Sequence, residues 1–197
     1  MNKPLIIGIT GGIGSGKSTL SNKLRAEGYE VYDTDVRAKN LQNEQPDLIS
    51  KLKAHFGEII YNLDGLDRAA LAKIVFGKKE LLIELNQLVH PFVREDFNRW
   101  ISERSAHKLL FVESAIMFES GFVKLVDKVI LITASEEVRI KRVVKRDGSS
   151  PEQVKARIAN QMPDELKIAK ADFVIYSDDN QPLIDKMHLI LQQLLRD

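Results

Sequence analysis

Apolar positions along this chain switch between two spacings. Pro4 to Thr10 (PLIIGIT) is a short apolar run rich in β-branched residues and bounded by glycine, the pattern of a strand buried on both faces. A glycine-rich stretch follows. Leu20 and Leu24 then recur at helical spacing within 17–27, and Gly28 stands where a helix commonly ends in the left-handed conformation. Tyr29 to Asp33 (YEVYD) alternates as a second strand. Strand, glycine loop, helix and strand make a βαβ unit, whose crossover is expected to be right-handed.

The spacing then turns helical for about 70 residues. Leu48, Leu52 and Phe56 keep it, as do Leu66, Leu71, Ile74 and Val75. So do Leu81, Leu82, Leu85, Leu88 and Val89, and then Phe92, Val93, Phe97, Trp100 and Ile101. His90-Pro91 is expected to mark a junction, with Pro91 near the first turn of the next helix. Trp100 and the phenylalanines at helical spacing read as core rather than as a base-stacking platform. Lys108–Glu113 (KLLFVE), Lys128–Thr133 (KVILIT) and Asp172–Tyr176 (DFVIY) return to strand patterning. Ser135 is expected to cap a helix with Glu136 and Glu137 in its first turn, where acids suit the macrodipole. Ser150-Pro151-Glu152-Gln153 has the form of a capping box with proline at N1. Residues 183–195 close the chain as an amphipathic helix.

Composition narrows the function classes. The chain has 197 residues, 44% hydrophobic and 29% charged, so it is expected to fold as one soluble domain, or one domain with an insert. Lys plus Arg number 29 against 28 for Asp plus Glu, which gives no support for a nucleic-acid or membrane-surface partner. No cysteine is present, which excludes disulfides, thiolate metal sites and a cysteine nucleophile. Leu5–Ile9 is too short for a signal-peptide core, and no apolar run approaches the ~20 residues that span a bilayer. A cytoplasmic protein is expected. His55, His90, His107 and His188 lack metal-ligand spacing.

The chemistry enters with Gly11-Gly12-Ile13-Gly14-Ser15-Gly16-Lys17-Ser18, a full match to G-x-x-x-x-G-K-[ST] set between a strand and a helix. Glycines such as Gly12, Gly14 and Gly16 let the backbone turn and bring N–H groups close to phosphate oxygens. The following helix offers its positive end to the same anion. Lys17 places an ammonium on the β and γ phosphates, Ser18 ligates Mg²⁺, and Thr19 is placed for the α phosphate. The dinucleotide signature G-x-G-x-x-G does not fit, because the residue five beyond Gly12 or Gly14 is Lys17 or Thr19.

Three further groups stand at strand ends or on one helix. Asp33-Thr34-Asp35 ends the second strand, where a carboxylate can take a proton from an acceptor or hold Mg²⁺ through water, or can simply cap a helix. Glu113 ends the third strand, a position suited to the Mg²⁺ shell or to a solvated terminus. Arg139, Lys141, Arg142, Lys145 and Arg146 crowd one helix, and Arg142 and Arg146 share a face suited to neutralising phosphoryl charge. The rest of the run suits a solvated face.

Taken together these residues resemble the dephospho-coenzyme A kinases. The opening GITGGIGSGKST is very similar to that family's start, and Asp33-x-Asp35 follows its second strand. His90-Pro91 within LNQLVHPFV, KRVVKRDG at 141–148, and ARIANQ followed by KADFVI resemble further family segments. The resemblance covers roughly residues 5 to 180. It implies an α/β fold of the P-loop NTPase type, nucleoside-monophosphate-kinase-like, with a five-stranded parallel sheet. A core at about 1–33 and 108–197 would carry a helical substrate insert at about 34–107 and a lid at about 142–165.

The implied activity is transfer of the γ-phosphoryl of ATP to the ribose 3′-hydroxyl of dephospho-coenzyme A, the last step of coenzyme A biosynthesis. Asp35 would be the catalytic carboxylate, with Lys17 and Arg142 stabilising the transferred group. Gly12, Gly14, Ser15, Gly16, Lys17, Ser18, Thr19, Arg142 and Arg146 would bind ATP, and Asp33, His90 and Pro91 the acceptor. Ser18, Asp35 and Glu113 would serve Mg²⁺. A monomer or weak homo-oligomer is expected. The third strand departs from the family's Asp-x-Pro-Leu-Leu-Phe-Glu by reading Glu113-Ser114-Ala115-Ile116-Met117-Phe118-Glu119, which leaves the role of Glu113 open. A nucleotide or shikimate-like kinase is the rival that His90-Pro91 and the long insert disfavour. A GTP switch would need Asn-Lys-x-Asp and Asp-x-x-Gly, neither of which occurs. Intact Lys17, Ser18 and Asp35 disfavour a non-catalytic ATP-binding module.

Overall fold

The computed structural model describes residues 3–179 and 181–196. In chain order, β1 (Leu5–Thr10) leads through the glycine loop into α1 (Lys17–Ala26) and β2 (Val31–Asp33). Next come α2 (Thr34–Glu44), α3 (Pro46–Phe56), a 3₁₀ turn at Glu58–Ile60, β3 (Tyr61–Asn62), β4 (Gly65–Leu66), α4 (Arg68–Val75) and α5 (Lys79–Ser102). The chain then runs through β5 (Leu109–Glu113), a 3₁₀ turn at Phe122–Leu125 and β6 (Lys128–Thr133). It ends with α6 (Glu136–Asp147), α7 (Pro151–Ala159), α8 (Asp164–Ile168), β7 (Phe173–Tyr176) and α9 (Leu183–Leu194). Two compact units result: 1–33 with 105–197, and 34–104.

The first unit is an α/β layer structure. Its five-stranded sheet has the order β2-β5-β1-β6-β7, and every pairing is parallel. β1 is central because its residues are almost wholly buried, as a strand covered by helices on both faces requires. Ile7, Ile9, Phe111, Ile130 and Ile132 from the sheet pack with Leu20 and Leu24 of α1 and Met187 and Leu191 of α9. The register sets Ile9 and Asp33 on either side of Glu113, so the acidic ends of β2 and β5 lie at one edge with the mouth of the glycine loop.

The second unit is helical around Leu48, Leu52, Phe56, Ile60, Val89, Val93 and Phe97. Arg37 of α2 reaches α5 with a bidentate pair, Nε to Asp96 Oδ2 and Nη2 to Asp96 Oδ1, both at 2.9 Å. Two sequence expectations fail here. Leu66 belongs to β4 rather than a helix: β3 and β4 form a small antiparallel hairpin. Its turn is shaped by Asp64 N–H donating to Asn62 Oδ1 at 2.8 Å and by Gly65 at φ 106°. Helical spacing starts only at α4, which Asp67 caps by accepting from the N–H groups of Ala69 and Ala70.

The second correction concerns His90-Pro91, which marks no junction. Pro91 lies inside the continuous 24-residue α5. Proline removes the N–H that the Gln87 carbonyl would receive, but Gln87 and Pro91 are both exposed, so water can replace that donor. Val89, Val93 and Phe97 on the buried face hold the two halves in one helix.

Helix starts also divide. Ser150 makes the full capping box with Gln153. Ser135 stands at the N-cap of α6 without a side-chain cap bond, and its N–H instead donates to Asp178 Oδ2 at 2.8 Å.

Candidate functional site: the glycine loop and its surroundings

The loop from Gly11 to Gly16 is pinned where side chains cannot go. At Gly11, φ is 153° and a Cβ would lie 2.1 Å from the Ile132 carbonyl oxygen, so β6 abuts the loop backbone itself. Gly16 takes the left-handed conformation, φ 104°, and starts α1 without a side-chain cap. Glycine brings no side chain to cap the N–H groups at that helix start, an arrangement that suits an anion site. Lys17 is buried, and its Nζ donates to the carbonyls of Gly11 at 2.7 Å and Gly12 at 3.1 Å. The ammonium thus lies folded across the loop that would hold phosphate.

The Ser18 hydroxyl donates to Glu113 Oε1 at 2.8 Å. Glu113 is buried, and its Oε2 has no hydrogen-bond partner among the described residues. A buried carboxylate oxygen left without a donor is costly unless something completes it. A hydroxyl with free lone pairs beside an unsatisfied carboxylate is an oxygen donor set that suits Mg²⁺ with several of its waters retained. Among the described residues no group of three or more His, Cys, Asp or Glu side chains could hold a metal ion. The donor set therefore fits a cation bound jointly with substrate phosphates rather than in a protein cage.

Asp33 faces Glu113 across the β2–β5 pairing in the first unit. Asp35 is exposed in the first turn of α2, in the second unit, where a carboxylate suits the helix start. His90 and Pro91 lie mid-way along α5 of that unit. Burial, and secondarily the Arg94 guanidinium, push the His90 imidazole below its ordinary pKa.

The two arginines predicted to share a face take different partners. Arg142 is tied to the loop: Nη1 donates to Ser177 Oγ at 2.8 Å and to the Gly14 carbonyl at 3.3 Å, and Nη2 to the Ser177 carbonyl at 2.6 Å. Ser177 in turn donates to the Ser15 carbonyl at 2.7 Å. Arg146 instead makes a bidentate pair with Asp147, which also accepts from Arg157 Nη1 at 3.1 Å. These guanidiniums, Arg146 first, hold the Asp147 carboxyl at about 2.

Arg139 is a loop contact that sequence reading passed over as one charge in a crowd. It is only 4% exposed, and its Nε donates to the Ile13 carbonyl at 3.0 Å. Its Nη1 reaches Asp164 Oδ2 at 2.8 Å. The available signal was its spacing four residues before Val143, the other buried residue of α6. Gln161 and Ser177, both polar residues in connecting segments, gave no such signal.

Comparison with known proteins adds the following. A family model described as dephospho-CoA kinase matches residues 5–182. A dephospho-CoA kinase of Porphyromonas gingivalis is 41% identical over 192 residues, 98% of this chain and 92% of its own. That of Chlorobaculum tepidum is 38% identical over 200 residues, covering 98% and 96%. Among solved structures, a Thermus thermophilus protein superposes with TM-score 0.83 at 36% identity, covering 99% of this chain and 98% of its own. Dephospho-CoA kinase from Campylobacter jejuni gives 0.69 at 29% identity, covering 96% of each.

Proposed function

The chain belongs to the dephospho-CoA kinase family, and we infer that it carries out ATP-dependent phosphorylation of dephospho-CoA at the ribose 3′-hydroxyl, giving CoA and ADP. The observation that carries this reading is the Ser18–Glu113 pair beside the open N-terminus of α1. It unites a phosphate cradle with a cation-binding donor set. Ser18 and Glu113 would hold Mg²⁺, with Asp35 as a further contributor; the ion would supply charge that offsets the negative charge of the phosphates.

Phosphoryl transfer asks little covalent chemistry of a protein, so positioning and charge dominate. Gly12, Gly14, Ser15, Gly16, Lys17, Ser18 and Thr19, at the loop and the start of α1, bind the phosphates. Lys17 leaves the Gly11 and Gly12 carbonyls for the β and γ phosphates, and Arg142 and Arg146 neutralise charge on the transferred group. Asp35 accepts the proton of the 3′-hydroxyl. The acceptor oxygen bonds to the γ phosphorus as the bond to the β-phosphate oxygen breaks, and ADP departs. Asp33, His90 and Pro91 belong to the acceptor side, within a helical substrate segment at about 34–107, and residues 142–165 serve as lid. No helix among the described residues is long and apolar enough to cross a membrane. On this proposal the enzyme works in the cytoplasm as a monomer or weak homo-oligomer, without nucleic acid.

The decisive experiment incubates the enzyme with ATP, Mg²⁺ and dephospho-CoA and follows ADP and 3′-phosphorylated product. Stoichiometric appearance of both supports the assignment. ADP release that is indifferent to dephospho-CoA but responsive to a nucleoside monophosphate or shikimate would replace it.

A further inference from the structure

The apex of the glycine loop is gripped from outside. The Ile13 N–H donates to Gln161 Oε1 at 2.9 Å, and the Ile13 carbonyl accepts from Arg139 Nε at 3.0 Å. A Cβ at Gly12 would lie 2.4 Å from Arg139 Nη2, and one at Gly14 would lie 2.6 Å from the Arg139 carbonyl. The backbone at 12–14 therefore rests on Arg139, while Gln161 closes the other side. Both gripping groups are themselves held. Asp164 Oδ2 accepts from Arg139 Nη1 at 2.8 Å and from Thr133 Oγ1 at 2.6 Å. Glu119 Oε1 accepts from the Met162 N–H at 3.0 Å, beside Gln161. Lys167, buried at the base of this network, lies 3.8 Å from Asp164 Oδ1.

We propose that Gln161, acting with Arg139, is a positioning residue for phosphoryl transfer: it fixes the Ile13 peptide, so that ATP meets a loop already shaped for its phosphates, and it ties that shape to the segment leaving α7. A glycine-rich loop is the part of a chain with the most conformational freedom to lose, and ordering it on binding would weaken ATP affinity. Two bonds, one to the Gly12–Ile13 peptide and one to the Ile13–Gly14 peptide, remove part of that freedom in advance. The hold on the N–H side comes from a residue two positions beyond α7, so movement of α7 is transmitted to the loop through one hydrogen bond. Arg139 alone cannot do this, because it sits in α6 and grips only the carbonyl side.

The inference rests on the phosphate-loop reading of this site, and its first measurement needs no nucleotide. Gln161→Met keeps the side-chain length and loses the acceptor, whereas Gln161→Glu keeps an acceptor at the same reach. Hydrogen exchange of the Ile13 amide in the enzyme alone is expected to run about tenfold faster in Gln161→Met and to stay near wild type in Gln161→Glu. In steady-state kinetics with Gln161→Met, the KM for ATP is expected to rise about five- to tenfold while the KM for dephospho-CoA stays within about twofold, a split that general loosening would not produce. Unchanged exchange at Ile13 in Gln161→Met, equal acceleration in both variants, or parallel rises in the two KM values would each overturn the proposal. Failure of the phosphate-loop reading would show differently, as intact exchange behaviour with no ATP turnover in the wild type.

Discussion

Single side chains carry the sharpest consequences of this arrangement. Asp35 stands exposed at the start of α2. If it takes the acceptor proton, Asp35→Asn keeps the shape and loses the basic oxygen, and turnover should fall by ~10²–10⁴ with ATP binding little changed. If it instead holds Mg²⁺ through water, added Mg²⁺ restores the rate. Turnover measured across a Mg²⁺ titration separates the two, and full rescue would remove the base assignment. His90 has a pH consequence of definite sign. Burial and Arg94 lower its pKa in the folded chain, so below about pH 6.5 the unfolded chain binds a proton there that the folded chain does not. Stability from this group is therefore complete above about pH 6.5 and lost as the pH falls below it. Denaturation midpoints at pH 7.5 and 5.5 should diverge more in wild type than in His90→Gln. Equal differences in the two proteins would refute a lowered His90 pKa in the folded chain.

At the scale of elements, α5 is the informative case. A proline in a helix interior costs ~3 kcal/mol relative to alanine, yet α5 runs through Pro91 without a break. The apolar stripe at Val89, Val93 and Phe97 outweighs that local penalty, which is why a reading based on proline alone misplaced a helix boundary. Pro91→Ala restores a donor for the Gln87 carbonyl and should raise stability by about 1 kcal/mol, part of the cost being already relieved by solvent at the exposed face. A urea midpoint shifted upward with unchanged slope would bear this out, and a lower midpoint would mean that the packing of α5 depends on the proline. A rise in the KM for dephospho-CoA in the same variant would support its place on the acceptor side.

For the whole molecule the relevant coupling is between ligand and stability. A ligand that binds only the folded chain stabilises it by ~2.7 kcal/mol at a hundred times its Kd, worth ~5–10 °C in Tm for a chain of this length. ATP with Mg²⁺ should therefore raise the melting temperature of the wild type. Lys17→Ala should fold with nearly the same unliganded Tm, lose most of the ATP-induced shift, and lose turnover by ~10³-fold or more. An undiminished shift together with near-normal turnover would detach Lys17 from the phosphates. The same linkage experiment on Glu113→Gln would show whether the buried carboxylate contributes to Mg²⁺-dependent binding.

The sequence by itself determined the strands of the parallel sheet, the glycine loop between β1 and α1, and the helical middle of the chain. Each of these rests on local periodicity or on residues a few positions apart, where steric and hydrogen-bonding rules act directly. The Ser150–Gln153 capping box was legible for the same reason. The β3–β4 hairpin was missed because two-residue strands leave too short an alternation to read against helical neighbours. The surroundings of the loop were decided only by tertiary structure. Gln161 and Ser177 stand 148 and 162 residues from the loop atoms they bond, and no local pattern reports a partner at that distance. Arg139 and Arg142 carry the same charge on the same helix. Which of them is buried against Ile13 and which reaches Ser177 follows from how α6 lies beside the glycine loop, since a guanidinium can be buried only where carbonyls and a carboxylate await it.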